Sequence, residues 1–516
     1  MKKMSDICNK IIYTIAVIVF LWLVISNFLI TCKMDVDHLQ QEKVLFTHNN
    51  MVLSTIVLCT LLVILFLLSW YSHYHKRMSG IHKNFYKIIM VIFILGIGVL
   101  WIFYTQSIPE FDQKIIENIA KDVINHDFSE WKTEGFYLKK FPYQVGYLFV
   151  TELFSRVFGN RMHIMLQVLN VLSVIITYNS ILHIIRKMFN KDDIEKCATV
   201  ILVLLIQPIL FCTFEYGNLL GVMFSTLAIS FFLSYLNGYS SKYMFAMALC
   251  AGLGVLMKKN CTIVEIAIIM LLIIDSMKKM NRKNIIAIII VMSACFAGYS
   301  MMKMSYEHRC GEKLGNGTPL TSYLVMGMQE SDMAPGWFNG YTYYVQGSND
   351  YDPQKISNQI KEDLKERTKI MLYNPQYAVT FFTKKVLSQW NEPTFESIYV
   401  SQVLKHEMKM SPIITDIYRG KLSKMLFNYM KYYIQLLYLF SLIGIWNHRK
   451  EVTSGYLVCL LCVMGGFAYH LLFEGKSQYV LIFIPMMIPY ASEGIVIVKR
   501  CISRKFVVPD KKYVIQ

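Results

Sequence analysis

Apolar residues run in long unbroken stretches along this chain, divided by short polar segments in which Lys and Arg gather. Stretches at about 11–30, 51–70, 87–106, 162–185, 197–213, 218–236, 243–257, 261–275, 285–303, 427–446, 453–470 and 478–498 approach the ~20 residues that carry a helix across a bilayer. They predict about twelve transmembrane helices. Segment 142–160, PYQVGYLFVTELFSRVFGN, is also apolar enough to cross, but the surrounding charges stay consistent if it lies on or dips into the interface. The first stretch follows a basic N-terminus and lacks a small-x-small cleavage site, so it reads as a retained helix rather than a signal peptide.

Composition supports a polytopic membrane protein over a string of soluble domains. Apolar residues make up 55% and charged residues 17%, against roughly 25% charged in soluble proteins. The net charge of +17 is explained better by basic cytoplasmic loops than by nucleic-acid binding. Most of the twelve cysteines sit in apolar spans, where a thiol behaves as a small hydrophobe. That includes Cys459 and Cys462, whose CxxC spacing falls inside a span. Cys32 and Cys310 fall in outer loops, where a disulfide is allowed but not demanded.

Lys and Arg then set the topology. Segments 1–10, 71–87 with Lys76 and Arg77, 276–284, 499–516 and the loop with Arg186, Lys187, Lys191 and Lys196 fall on one side. The positive-inside rule makes that side cytoplasmic, with both termini on it. The expected organisation is an N-terminal two-helix membrane extension (1–86), a transmembrane core (87–303) with a first external loop at 107–161, an extracytoplasmic loop domain (304–426), and C-terminal helices with a basic tail (427–516).

The large outer loop has its own helical signals. Asp352 is an expected N-cap with Pro353 at the first helical position. Ile356, Ile360, Leu364 and Met371 form a stripe, and Asn374-Pro375 is an expected stop. A second helix should carry Phe381, Phe382 and Trp390. Before these lies MGMQESDMAPGWFNGYTYY, in which Trp337 offers an aromatic face suited to a sugar or to the membrane interface. Trp390, in QWNEP, invites the same two readings.

The candidate chemistry gathers on the outer face. In SIPEFDQ, Glu110 and Asp112 follow the end of a span. A partly desolvated carboxylate there can act as a general base, whereas an isolated acid is more often a hydrated loop residue. FEYGN places Glu215 and Asn218 at another outer turn, able to orient an acceptor or hold a divalent ion, or simply to form a turn about Gly217. LMKKNCT sets Lys258 and Lys259 against lipid on the side where basic residues are scarce. They must snorkel or meet an anion. In HLLFEGKSQYV, Glu474 reads as a structural partner of Lys476. No diagnostic metal-ligand spacing occurs.

From SIPEFDQ through IIENIAKDVINHDFS to GFYLKKFPYQVGY, with its Tyr143, the chain resembles the first external loop of GT-C superfamily glycosyltransferases. The likeness is to the branch of protein O-mannosyltransferases and aminoarabinose transferases, glycosyltransferase family 39, over roughly residues 87–500. The resemblance implies an all-helical, GT-C-like membrane enzyme with a mainly helical extracytoplasmic insert. It implies a polyprenyl-phosphate-linked sugar donor and an extracytoplasmic glycan or protein acceptor, with Asp112 as base. Donor phosphate would fall to Lys258, Lys259 and Lys476, and substrate contacts to Glu215, Asn218, Tyr143, Trp337 and Trp390. Gln478 stands where the family has Arg, and Glu110 is a second nearby acid that could react instead. A glycan polymerase or ligase, or a lipid or solute transporter, are the alternatives. The former would use Arg/His clusters in the large loop, where Arg309, Arg367, Arg419, His308 and His406 are scattered. The latter would use mid-span charges and repeats, and only Glu265 stands out.

Overall fold

The computed structural model describes residues 2–36, 42–74, 83–279, 281–403, 410–449 and 452–504. Lys76, Arg77, His406 and the tail from 505 onward lie outside these. Among the described residues, eight helices are long and apolar enough to cross a membrane, nine if a bent pair is one span. The protein is therefore a multi-pass membrane protein. Cys32 and Cys310 are both free thiols.

The predicted runs at 11–30, 51–70, 87–106, 218–236, 261–275, 285–303 and 453–470 each appear as one apolar helix. Three others take a less regular form. The 243–257 run is a shorter helix, Ser241–Met257. The 427–446 run lies in Lys421–Asn447, where Lys431, Gln435 and several tyrosines dilute the apolar surface. The 478–498 run is split into Ser477–Val480, Pro485–Met487 and Ile488–Ile502, with Pro489 in the first turn of the last helix and the interruption just before Pro485. A prolyl residue has no amide to give the preceding turn, so the helix breaks there.

The 197–213 run is the bent pair, with 41° between Asp192–Leu204 and Gln207–Thr213. Pro208 stands at the start of the second piece. Carbonyls freed near the break need donors, since lipid offers none. Tyr178 donates to Leu205 O at 2.5 Å and Tyr429 to Leu204 O at 2.6 Å, while Tyr433 gives Ile201 O, which already accepts from Leu205 N, a second donor at 2.9 Å.

Segment 142–160 forms the helix Val145–Phe158, then a tight turn at Gly159–Arg161, then Met162–Phe189. The combined apolar stretch of 48 residues would extend roughly 72 Å as one helix, more than twice a hydrocarbon core. Gly159, at φ +53°, breaks it. Within Val145–Phe158, Glu152 accepts from Tyr306 at 2.6 Å and from Arg309 at 2.8 Å, which fastens this helix to Arg282–Cys310.

The insert between Cys310 and Lys421 is helical. Asp352 caps Pro353–Tyr373 by accepting from Gln354 N at 2.8 Å and Lys355 N at 3.1 Å. Ile356, Ile360 and Met371 are its buried stripe. Pro375–Trp390 follows. The 31–50 loop instead contains strands Ile30–Met34 and Val44–His48, paired antiparallel with Cys32 opposite Phe46. This hairpin joins the insert where Val44 N donates to Met333 O and Cys32 N to Asn391 O.

Candidate active site

A cavity of about 1220 Å³ is bounded by the 110–113 segment, the 214–216 turn, residues 257–260, the insert and the 469–479 segment. It brings together Glu110, Asp112, Tyr143, Lys258, Lys259 and Lys476 from the sequence expectations. Glu215, Asn218, Trp337 and Trp390 do not line it.

Asp112 lies in the first turn of Phe111–Ile124. The segment before it is bracketed by Gln106 and Phe111, both at positive φ. Non-glycine residues rarely adopt that conformation, and such strain concentrates at functional sites. The Asp112 carboxylate accepts from Tyr216 Oη at 3.1 Å. Its pKa is raised, because the recess desolvates it more than Tyr216, Lys476 and Lys258 stabilise its charge. That is the setting for a base near neutral pH. Glu110 is half-buried and lies 3.9 Å from Lys114, whereas Asp112 opens onto the cavity.

Tyr216 is a junction. Its hydroxyl meets Tyr137 Oη at 2.6 Å and accepts from Gln144 Nε2 at 2.6 Å. Lys258 Nζ stands 4.2 Å from its ring centroid. Burial lowers the Lys258 pKa to about 8, although Asp112 pulls it the other way. The close approach of these segments depends on Gly217. It holds φ +78°, and a Cβ there would fall 2.5 Å from Met257 O, a clash for any larger residue.

Lys476 is ion-paired with Glu42, delivered by the hairpin, and not with Glu474 as the sequence suggested. Burial alone would lower its pKa, but Glu42 and Glu396 outweigh it and raise it. Glu474 accepts from Tyr479 at 3.4 Å, and burial raises its pKa. Gln478, in the place of the family's Arg, is buried and donates from Nε2 to Glu396 at 3.0 Å.

The remaining expectations are turned elsewhere. Glu215 is buried and faces the Met162–Phe189 helix, accepting from Gln167 Nε2 at 2.8 Å and lying 3.0 Å from His163 Nδ1. Asn218 is buried, and its side-chain polar atoms have no hydrogen-bond partner among the described residues. Trp337 is core, donating to Ser388 Oγ at 2.8 Å. Trp390 is buried among Phe467 and Phe483. Large rings are favoured in such cores because they bury the most apolar surface. Among the described residues no group of three or more His, Cys, Asp or Glu is placed to hold a metal.

Sequence reasoning passed over Tyr216 although it lies inside FEYGN. It also missed His163, Gln167 and Asn170, spaced i, i+4, i+7 within an apolar run, which places them on one helix face. That polar stripe was the available signal.

A multi-pass membrane protein with a carboxylate and lysines facing one open cavity is the class that fold and site define. The chain resembles the GT-C glycosyltransferases. Residues 144–300 match the family described as dolichyl-phosphate-mannose-protein mannosyltransferase. That match begins at Gln144, beside Tyr216, and runs past Lys258. No curated protein matches the chain. Among solved structures, the archaeal oligosaccharyltransferase AglB from Archaeoglobus fulgidus, in complex with an inhibitory peptide and a dolichol-phosphate, is similar at 11% identity and a TM-score of 0.42, covering 80% of this chain and 50% of that one. The chain thus spans about half the length of that relative. ArnT from Cupriavidus metallidurans, bound to undecaprenyl phosphate, is similar at 11% identity and a TM-score of 0.33, covering 79% and 77%.

Proposed function

We propose that the protein is a membrane glycosyltransferase that moves a sugar from a polyprenyl-phosphate-linked donor to a hydroxyl of an extracytoplasmic acceptor, a cell-wall polymer, lipid-linked glycan or protein. The observation that carries this reading is the shared cavity of Asp112 and Lys258, bridged by Tyr216. A raised carboxylate can take a proton, and a nearby cation can receive an anionic leaving group.

In the proposed reaction the acceptor oxygen attacks the anomeric carbon as the bond from that carbon to the phosphate oxygen breaks. The acceptor proton passes to the Asp112 carboxylate. The lipid phosphate leaves as an anion, held by Lys258 and, once Glu42 yields, by Lys476. Fixed charges aimed at developing charge are the largest common contribution to catalysis. A single displacement inverts the anomeric centre. Tyr143, which lines the cavity, offers an aromatic face to the sugar. Lys259 is assigned to the phosphate-facing edge. The site lies at the outer face of the cell membrane, with both termini cytoplasmic.

The test is turnover of lipid-linked sugars by the purified protein in lipid nanodiscs. A panel of polyprenyl-phosphate sugars is supplied together with cell-envelope acceptors. Release of polyprenyl phosphate with one donor supports the reading. Flux of the lipid across the bilayer without any release overturns it in favour of a transporter.

A further inference from the structure

Behind the cavity wall, the half-buried His163 and a set of buried polar side chains join three segments that are far apart in sequence. His163 stands between two carboxylates, with Nδ1 3.0 Å from Glu215 Oε2 and Nε2 3.2 Å from Glu117 Oε1. Gln167, one turn further along the same helix, donates from Nε2 to Glu215 Oε1 at 2.8 Å and to Ser107 O at 3.1 Å. Gln113 Oε1 accepts from the backbone N of Glu215 at 2.7 Å. Asn170 completes the stripe by donating to Cys212 O at 2.9 Å.

These contacts converge on one relationship. Gln113 and Glu117 share a helix with Asp112, Ser107 begins the strained segment that leads to it, and Glu215 is the neighbour of Tyr216. Glu117, His163, Gln167 and Glu215 do not line the cavity, so they have no direct route to substrate. Buried hydrogen-bonded charges of this kind are costly unless fully paired, and when paired they fix geometry. Burial alone would raise the pKa of Glu117, yet His163 and Lys121 hold it down at about 2.

The geometry points to His163 and Gln167 as positioning residues. They hold the 214–217 turn against the Asp112 helix so that the Tyr216 hydroxyl stays in hydrogen-bond reach of the base. This rests on the proposed role of Asp112. Misplacing a reacting group by about 1 Å can cost on the order of 100-fold in rate. The loss should appear mainly in kcat, because the hydrogen bonds of Gln167 go to Ser107 O and Glu215 and none goes to a lysine of the cavity.

The experiment is a double-mutant cycle in the donor-turnover assay, with Asp112→Asn run alongside. Gln167→Leu keeps every charge and is the main variant. His163→Ala, which leaves two carboxylates facing each other, is the second, accepted only if it elutes as a monodisperse species. Gln167→Leu should lower kcat about tenfold to 100-fold with KM within about twofold. In a Tyr216→Phe background it should cost almost nothing more, because the contact it protects is already gone. Losses that multiply in that background, or a KM effect with kcat preserved, overturn the positioning role while leaving the proposed reaction intact. Full activity of Asp112→Asn overturns both together.

Discussion

The Tyr216 hydroxyl donates to the Asp112 carboxylate at 3.1 Å, while the same ring carries Lys258 Nζ 4.2 Å from its centroid. One side chain thus contacts both the proposed base and the proposed phosphate ligand. It adjusts the charge on each, since a hydrogen bond to a carboxylate favours its ionised form and an aromatic face favours a nearby cation.

Tyr216→Phe should therefore shift the acidic limb of the rate profile. Asp112 must be ionised to accept a proton, and burial already raises its pKa. Activity falls as pH falls through that value. Removing the Tyr216 hydroxyl takes away a contact that stabilises the anion, so the limb moves to higher pH. Lys476 and Lys258 lower the Asp112 pKa and Glu42 raises it, and these remain in place. A profile of kcat/KM against pH checks the direction. A limb that stays or moves down contradicts it.

Lys258 should govern the alkaline limb. Its pKa is lowered to about 8 by burial, so its charge is present below that pH and is lost above it. In the free enzyme kcat/KM should decline as pH rises past about 8. Lys258→Gln should remove that decline and lower kcat/KM at pH 7 by about 100-fold, the order expected when a preorganised charge is removed. A wild-type profile flat to pH 10 would refute the assignment.

Parts of this arrangement were legible in the chain itself. The cap at Asp352 with Pro353, and the acid just beyond a span at Asp112, are local signals, and the structure places both as local chemistry demands. The ion pair of Lys476 with Glu42 spans 434 positions, and nothing near Lys476 announces it. Glu474 was the nearer acid and the wrong partner. Glu215 was legible as an unusual acid, but its orientation depends on His163 and Gln167, which only the packing of the Met162–Phe189 helix brings to it. Trp337 and Trp390 look alike in sequence whether they face a sugar or a core. Burial decided for the core.

Trp390→Ala should consequently destabilise the protein rather than alter substrate binding. Emptying a site of that size costs about 3–5 kcal/mol in a packed core. The thermal midpoint in detergent should fall by several degrees, and the KM of the surviving protein should stay within about twofold. An unchanged midpoint with a large rise in KM would return Trp390 to the substrate.

The Glu42–Lys476 pair gives a further outcome. Lys476 is neutralised by Glu42 in this structure, so a donor phosphate must compete for it. Glu42→Gln should free the cation and lower the KM for the lipid-linked donor several-fold, within the 1.4 kcal/mol that corresponds to about tenfold. Steady-state kinetics at varied donor concentration checks this. A rise in KM would show instead that Glu42 holds Lys476 in the binding geometry.

The most direct test compares wild type, Asp112→Asn and Glu110→Gln for release of polyprenyl phosphate from lipid-linked sugars. Wild type and Glu110→Gln should release polyprenyl phosphate, and Asp112→Asn should lose at least about 100-fold, the scale of general-base catalysis, with the protein still folded and monodisperse. Equal release by wild type and Asp112→Asn would contradict the assignment of Asp112 as base, because the carboxylate that Tyr216 holds in the cavity would then be doing no chemistry.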